Sequence, residues 1–432
     1  MGSNGHGQNG VNGSNGTTSS RATWHSQYPQ LGTEPVPIEP YIAPAFFELE
    51  RERVFKRSWL CLGREERIPK PGDFFVKDLA IGKTSVLVVR SEDGAIHAFH
   101  NACSHRSNKV EWQSKGSCAA FTCPFHGWSY RLDGRLLAVP DEKNFFNLDK
   151  AKLGLTPIAV DTWQGFIFIN LNPEQKLREY LGEWADALEA YPFAANGATC
   201  YEWSTELRCN WKLLRDAFKE AYHVAFLHRR SARDAYSPRQ NPFSHALYFK
   251  LFPLHQRWSL PANPEYQPSP LEAVAYRYAS FVLKTDFTAA PPKGVNPAGD
   301  PNWVLDINAV FPNYTIDMLE NGYFTYNFWP IAVDRTLWEV KVYFGQPRNA
   351  AERFSQEHAR VTYRDLIMED AATMENTQTV IASGAKTHFQ FQDEELLLRH
   401  DNKILGEYIG AGDGRAKARS KRSDRHARVS AA

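Results

Sequence analysis

The sequence of 432 residues predicts an α+β protein: a small all-β domain, and a larger domain whose antiparallel sheet is packed against long helices. Three observations predict it. Short apolar runs separated by Asp-Gly turns fill residues 72–172; amphipathic helical spacing recurs after Pro173 and over 351–383; and strand-like runs lie between those helices. An apolar fraction of 43%, with 12 Trp and 27 Phe, supplies a large core and excludes a disordered chain.

Taken in order, residues 1–24 repeat Gly and Asn and read as a flexible tail, and 25–44 as a segment packing on the larger domain. Phe46, Phe47, Leu49 and Val54 give helical spacing from Ala45 to about Arg57. Strands are expected at Ser85–Arg90 and Ala95–Asn101 around Asp93-Gly94, at Ser129–Leu132 before Asp133-Gly134, and at Phe166–Leu171. The small domain is assigned to 45–165 and the larger to 166–410. Leu177, Tyr180, Leu181, Trp184 and Leu188 share one helical face. A second helix is expected from Trp211 to about His223, and a long one from Ala351 to Ser383. Strands follow the loops of 231–300, at Trp303–Val310, Tyr323–Trp329 and Leu337–Phe344. Residues 411–432 read as a basic flexible tail.

A formal net charge of +1 gives no reason to expect nucleic acid as a partner. No run reaches the ~20 apolar residues of a membrane span. The first twenty residues lack the apolar stretch of a signal peptide, and six cysteines without one suit a reducing compartment, so a cytoplasmic location is expected.

The most specific feature is Cys103-Ser104-His105, then 17 residues, then Cys123-Pro124-Phe125-His126. Two Cys/His pairs can present four donors to tetrahedral zinc. The order, one Cys and one His from each half, suits instead a two-iron cluster with both Cys on one iron and both His on the other. Cys118 fits no ligand position and reads as core. A second set lies in 210–228. His223 and His228, five apart, diverge by roughly 140° on an unbroken helix. The helix must therefore end or distort for them to share a metal. Asp216, Glu220 and His223 fall on one stripe at helical spacing. Two His need a carboxylate to complete the facial triad of a non-haem iron site. Asp370, among apolar Leu366, Ile367 and Met374, is the leading candidate, with Asp365, Glu369 and Glu375 competing on composition.

The run from Cys123 through Gly127-Trp128-Ser129-Tyr130, with His105-Arg106, closely resembles the Rieske motif of Rieske non-haem iron oxygenases, the α-subunit family of aromatic ring-hydroxylating dioxygenases. Glu220-x2-His223-x4-His228 looks like that family's mononuclear iron motif, and Glu369-Asp370 with Glu375 and Gln378 like the helix giving its third ligand, at Asp370. Phe311-Pro312-Asn313 and Pro330 to Asp334 are similar to its catalytic-domain signatures. The resemblance spans about 40–405. It implies a [2Fe-2S] Rieske cluster on Cys103, His105, Cys123 and His126, within a small domain inserted in a helix-grip-like catalytic domain. It also implies mononuclear Fe(II) on His223, His228 and Asp370.

The resemblance further implies that Glu220 bridges His223 to a neighbouring copy's His105 in a head-to-tail trimer, coupling electron to proton movement, with Asp216 behind it. The chain departs from the family's usual pattern at Glu220 (commonly Asp), Ala217 (commonly Asn or Gln) and Ser107 (commonly Gly). The Glu variant leans toward the branch acting on trimethylammonium compounds.

No strand–GxGxxG–helix unit or plant-type ferredoxin Cys spacing is present. Electrons are therefore expected from a separate reductase using NAD(P)H and flavin, directly or through a ferredoxin. The implied reaction uses O2 on an organic substrate. A pocket is expected from 231–330, with Phe243, Tyr248, Phe249, Phe252, Trp258, Phe281, Trp303 and Phe328 as candidates. That composition ranks a hydrophobic aromatic or alicyclic substrate first. A quaternary ammonium or a methylated amine or ether, bound through cation–π contacts, is the alternative. A non-catalytic Rieske electron carrier is a distant third.

Overall fold

The computed structural model describes residues 23–280 and 291–410. The expectations for the two tails and for Phe281 lie outside these residues, except that Trp24 opens a short helix. The Trp24 backbone N–H donates to Asp393 (2.8 Å), and its ring packs edge-on against Phe249.

The small domain is a seven-stranded antiparallel sheet of β1 (Leu60–Arg64), β2 (Asp73–Leu79), β3 (Thr84–Arg90), β4 (Ile96–His100), β5 (Lys115–Ser117), β6 (Pro157–Trp163) and β7 (Phe166–Asn170). Its spatial order is β1-β7-β6-β4-β3-β2-β5. Because β7 pairs with β6 and β1, the expected division at residue 165 moves past Asn170. A three-stranded sheet, Phe121–Thr122 with Ser129–Tyr130 and Leu136–Ala138, carries the second Cys/His turn.

The larger domain is a seven-stranded antiparallel sheet in the order β8-β14-β13-β12-β11-β10-β9. Its strands are β8 (Thr199–Leu207), β9 (Tyr248–Leu251), β10 (Gln256–Pro261), β11 (Trp303–Val310), β12 (Tyr314–Met318), β13 (Gly322–Ala332) and β14 (Arg335–Phe344). Helix α1 (Leu177–Leu188) buries the expected Leu177, Tyr180, Leu181, Trp184 and Leu188. That core also holds Cys61 and Phe168 of the small domain and Tyr314, Ile316 and Met318 of β12. On the other side lie α2 (Trp211–Asp216) and the 32-residue α3 (Ala350–Ile381), giving the helix-grip arrangement. Alternation along β12 therefore sends Tyr314, Ile316 and Met318 one way and Thr315 and Asp317 the other. The preceding segment is stitched onto this domain, since Val36–Pro37 pairs with His388–Phe389.

Helix α2 ends at Asp216, seven residues before the expected His223. Tertiary partners take over there. The Phe218 ring packs 4.6 Å from Tyr326, and the next side chain, Lys219, pairs with buried Asp401. Asp216 consequently leaves the stripe expected with Glu220 and His223. Its carboxylate accepts from the Tyr41 hydroxyl at 2.8 Å.

Candidate functional site

Two tight turns build the Cys/His centre. The Ser107 N–H closes on the Cys103 carbonyl (2.8 Å), and the Gly127 N–H closes on Cys123 (3.0 Å). Both closing residues adopt left-handed backbone, φ +57° at Ser107 and +74° at Gly127, where a Cβ on Gly127 would also meet Pro140 at 3.0 Å. The two thiols are buried, Cys103 within 3.1 Å of the Tyr130 hydroxyl and Cys123 within 3.7 Å of the Asn108 amide. Burial alone would raise the Cys123 pKa, but the Phe125 backbone N–H and the Asn108 amide lower it, favouring thiolate. The imidazoles lie toward the surface, His105 half-buried and His126 exposed, with ring centroids 4.5 Å apart. Trp128 stacks on His105, whose buried Nδ1 has no hydrogen-bond partner. The two thiols adjoin one another and the two imidazoles adjoin one another, and two thiols with two imidazoles are the donor set such a two-iron cluster needs.

At the second centre the structure brings together His223, on the turn Tyr222–Ala225, His228 in the turns beyond it, and Asp370 on α3. Their ligand atoms lie within 4.8 Å of one another, with Asp370 Oδ1 at 3.4 Å from His223 Nε2 and 3.3 Å from His228 Nε2. Among the described residues no three of the Cys/His donors contract this way, as a tetrahedral zinc site requires.

Each imidazole is oriented from behind. Glu220 accepts from His223 Nδ1 and also takes the His223 backbone N–H at 3.2 Å. Glu369 accepts from His228 Nδ1 at 2.7 Å and from the Ser231 hydroxyl at 2.8 Å. With Nδ1–H committed outward, each Nε2 turns a lone pair toward Asp370. Asp370 Oδ1 is buried without a hydrogen-bond partner. Burial alone would lower the His223 pKa, yet Glu220 and then Asp370 raise it to about 9. That field favours positive charge between the donors, and the set fits a divalent iron.

The competing carboxylates are engaged elsewhere. Asp365 pairs with Arg364, Glu375 accepts from the Arg208 N–H, and Glu369 stands behind His228. Sequence reasoning missed this orienting role for Glu369. Lys212 and Lys219, the lysines nearest Glu220 in the sequence, bind Glu50 and Asp401 rather than Glu220. Asn210, the N-cap of α2, ties that helix to α3 by donating its backbone N–H to Gln378 (2.8 Å).

The larger domain matches the family described as ring hydroxylating alpha subunit (catalytic domain) over residues 195–411, half of the chain. The chain belongs to this family. Residues 58–161 match the Rieske [2Fe-2S] domain. The chain is 33% identical over 221 residues to choline monooxygenase, chloroplastic, of Beta vulgaris, covering 49% of each. It is 34% identical over 223 residues to biphenyl dioxygenase subunit alpha of Metapseudomonas furukawaii, covering 48% of this chain and 47% of the relative. The chain thus spans about half the length of the curated relatives it matches. A solved quaternary ammonium Rieske monooxygenase has the same fold, with a TM-score of 0.70 at 19% identity over 87% of this chain and 95% of the other.

Within this Rieske-family chain, a cavity opens onto His223, His228 and Asp370. Trp258 lines it, but the other described aromatic candidates do not. Phe252 and Trp303 belong to the core behind the sheet, Phe249 packs between Trp24 and Trp258, and Phe328 stacks on Trp338. Phe243 stacks on Phe226 at the surface, and Tyr248 lies at the sheet edge on β9. The cavity is lined instead by Phe218, Tyr236, Phe324, Tyr326 and Tyr363; of these Phe324 and Tyr326 share one face of β13 by strand alternation, while Phe218 follows α2, Tyr236 ends a short helix and Tyr363 lies on α3. Among the described residues, no helix is long and apolar enough to cross a membrane.

Proposed function

We propose that the chain is the oxygenase component of a Rieske monooxygenase that hydroxylates a C–H bond next to the nitrogen of a quaternary ammonium substrate. The observation that carries this is the ring-lined cavity beside His223, His228 and Asp370, because aromatic faces attract a desolvated organic cation. The choline monooxygenase relative supports the ammonium reading over the hydrophobic substrate that composition ranks first. The mainly apolar lining and the biphenyl dioxygenase relative keep an aromatic substrate as the second reading.

When bound, the cluster supplies single electrons and the mononuclear iron activates O2; two electrons and two protons accompany each O2, one oxygen entering substrate and one leaving as water. Cys103, Cys123, His105 and His126 would hold the cluster, and His223, His228 and Asp370 would hold the iron. Glu220 and Glu369 fix the imidazole tautomers. Glu220 further accepts the N–H of the partner's His105 in a head-to-tail trimer, and a separate NAD(P)H reductase delivers the electrons. The apolar walls exclude water.

The test begins with anaerobically purified protein. About three iron and two sulfide per chain and a Rieske-type EPR signal are expected. Turnover with choline and a surrogate reductase should follow; turnover only of an aromatic hydrocarbon favours the second reading. Glu220→Gln, loaded with saturating Fe(II), should slow single-turnover oxidation of the cluster strongly. An unchanged rate removes Glu220 from the pathway.

A further inference from the structure

Asp317 is a feature of the cavity that neither metal centre explains. It sits mid-strand on β12, paired across the sheet with Ile307 of β11 and Phe324 of β13, and Trp258 lies opposite Ile307. All four side chains line the cavity. Apolar side chains surround this position, and Asp317 is only 2% exposed. Its Oδ1 has no hydrogen-bond partner. Burying a carboxylate without a partner is costly.

The neighbouring strand shows what a structural acid looks like in this sheet. Asp306, equally buried, accepts from Arg257 (2.6 Å) and the Trp303 indole (2.9 Å), and also from the Ser259 hydroxyl. Asp317 has a thinner shell, the Asn308 backbone N–H and the Thr315 hydroxyl, with no cationic partner. The residue lines a space walled by aromatic rings. Burial pushes its pKa well above the usual carboxylate range, so a cation entering the cavity would restore its charge.

The charges of the lining are one-sided. Glu220, Asp317 and Asp370 contribute carboxylates, and among the described lining residues there is no Lys or Arg. A divalent iron and the contact to His223 account for Asp370 and Glu220. Asp317 is left to be matched by the substrate.

We propose that Asp317 is the counter-ion for the substrate's ammonium group, and that the substrate is a monocation without a carboxylate of its own. This rests on the ammonium reading and sharpens it. The rings and Asp317 together act on charge: rings alone would also accept an uncharged head of the same shape. A zwitterion would bring its carboxylate into a lining that offers it no cationic partner.

Calorimetric titration of the full-length holoenzyme tests this with three probes: choline, glycine betaine and the uncharged isostere of choline in which tert-butyl replaces trimethylammonium. Choline should bind about tenfold or more tightly than either of the others. Asp317→Asn and Asp317→Leu should weaken choline by that factor and leave the isostere unaffected, with iron content and cluster EPR unchanged. The leucine variant guards against misfolding, since it fills the site with the side-chain type of its neighbours. Choline affinity equal to wild type in both folded variants overturns the role of Asp317 while leaving the ammonium reading standing. Glycine betaine binding as tightly as choline overturns the monocation. Wild-type protein that ignores choline but binds an aromatic hydrocarbon overturns the ammonium reading itself.

Discussion

At the Cys/His centre every donor comes from two turns within residues 103–127, closed by their own backbone and set with the imidazoles toward solvent. At the His/His/Asp centre the donors come from separate elements, and His228 meets the helix that carries Asp370 and Glu369 at a separation of 141 residues. One centre is a local design that requires only its loops. The other exists only when the whole larger domain is folded, and it is enclosed by that domain's core. The difference suits the two proposed tasks: electrons must enter and leave through an exposed edge, whereas oxygen chemistry requires water to be kept out.

Separating the centres by mutation should have the largest effect. His223→Ala should abolish product formation and remove about one iron per chain, leaving the EPR signal of the cluster intact. Cys103→Ser should do the reverse to the metals, losing the cluster while Fe(II) added back still binds. Loss of both centres in either variant, by iron analysis and EPR, would show that they are not independently built.

Acid should distinguish the surroundings. His255, buried between α1 and β11, donates Nε2–H to the Tyr180 carbonyl (2.9 Å) and accepts the Phe311 N–H at Nδ1 (3.2 Å), so a second proton has no place. Burial holds its pKa down to about 4 from the ordinary 6.5. The unfolded chain then binds a proton that the folded one refuses. Stability is complete above about pH 6.5 and falls as pH drops toward 4, by about 3 kcal/mol at ~1.4 kcal/mol per unit. Urea unfolding followed across that range should show the slope, and His255→Asn should reduce it by one proton's share, leaving that of His400, whose pKa burial lowers to about 3. A slope unchanged by the substitution would assign the acid sensitivity elsewhere.

Glu369→Gln probes the buried centre from behind. Removing the charge that orients His228 should weaken iron binding by roughly 10–100-fold, measured by chelator competition, with the cluster untouched. Unchanged affinity would reduce Glu369 to a partner of Ser231.

The same contrast governs what the sequence reveals. The Cys/His turns are legible because spacing alone creates them. At the second centre the donor types are legible but their supports are not: Glu369 and Asp370 are adjacent on one helix, and only the packing of α3 determines which faces both imidazoles and which stands behind His228. Helix α2 stops short because Phe218 and Lys219 are claimed by distant partners, which no local propensity reports. The cavity rings were sought in loops, yet Phe324 and Tyr326 come from one face of β13, a strand buried on both faces whose run of aromatics conceals the alternation, and Tyr363 comes from α3. Asp317 did leave a trace, as the lone acid in Tyr-Thr-Ile-Asp-Met.

The smallest effect tests whether the local centre carries strain of its own. Ser107 occupies the turn-closing position that Gly127 fills in the other turn, with its side chain exposed and φ at +57°. A residue with a Cβ is strained there, and a glycine is not. Ser107→Gly should therefore stabilise the fold by about 1 kcal/mol, read as a rise in the urea midpoint, with no change in the EPR signal of the cluster. If stability falls instead, the loss of chain entropy outweighs the relief, and the first turn is held by the contacts of its side chains rather than by its backbone. The two turns would then differ in what maintains them, despite closing through the same hydrogen bond.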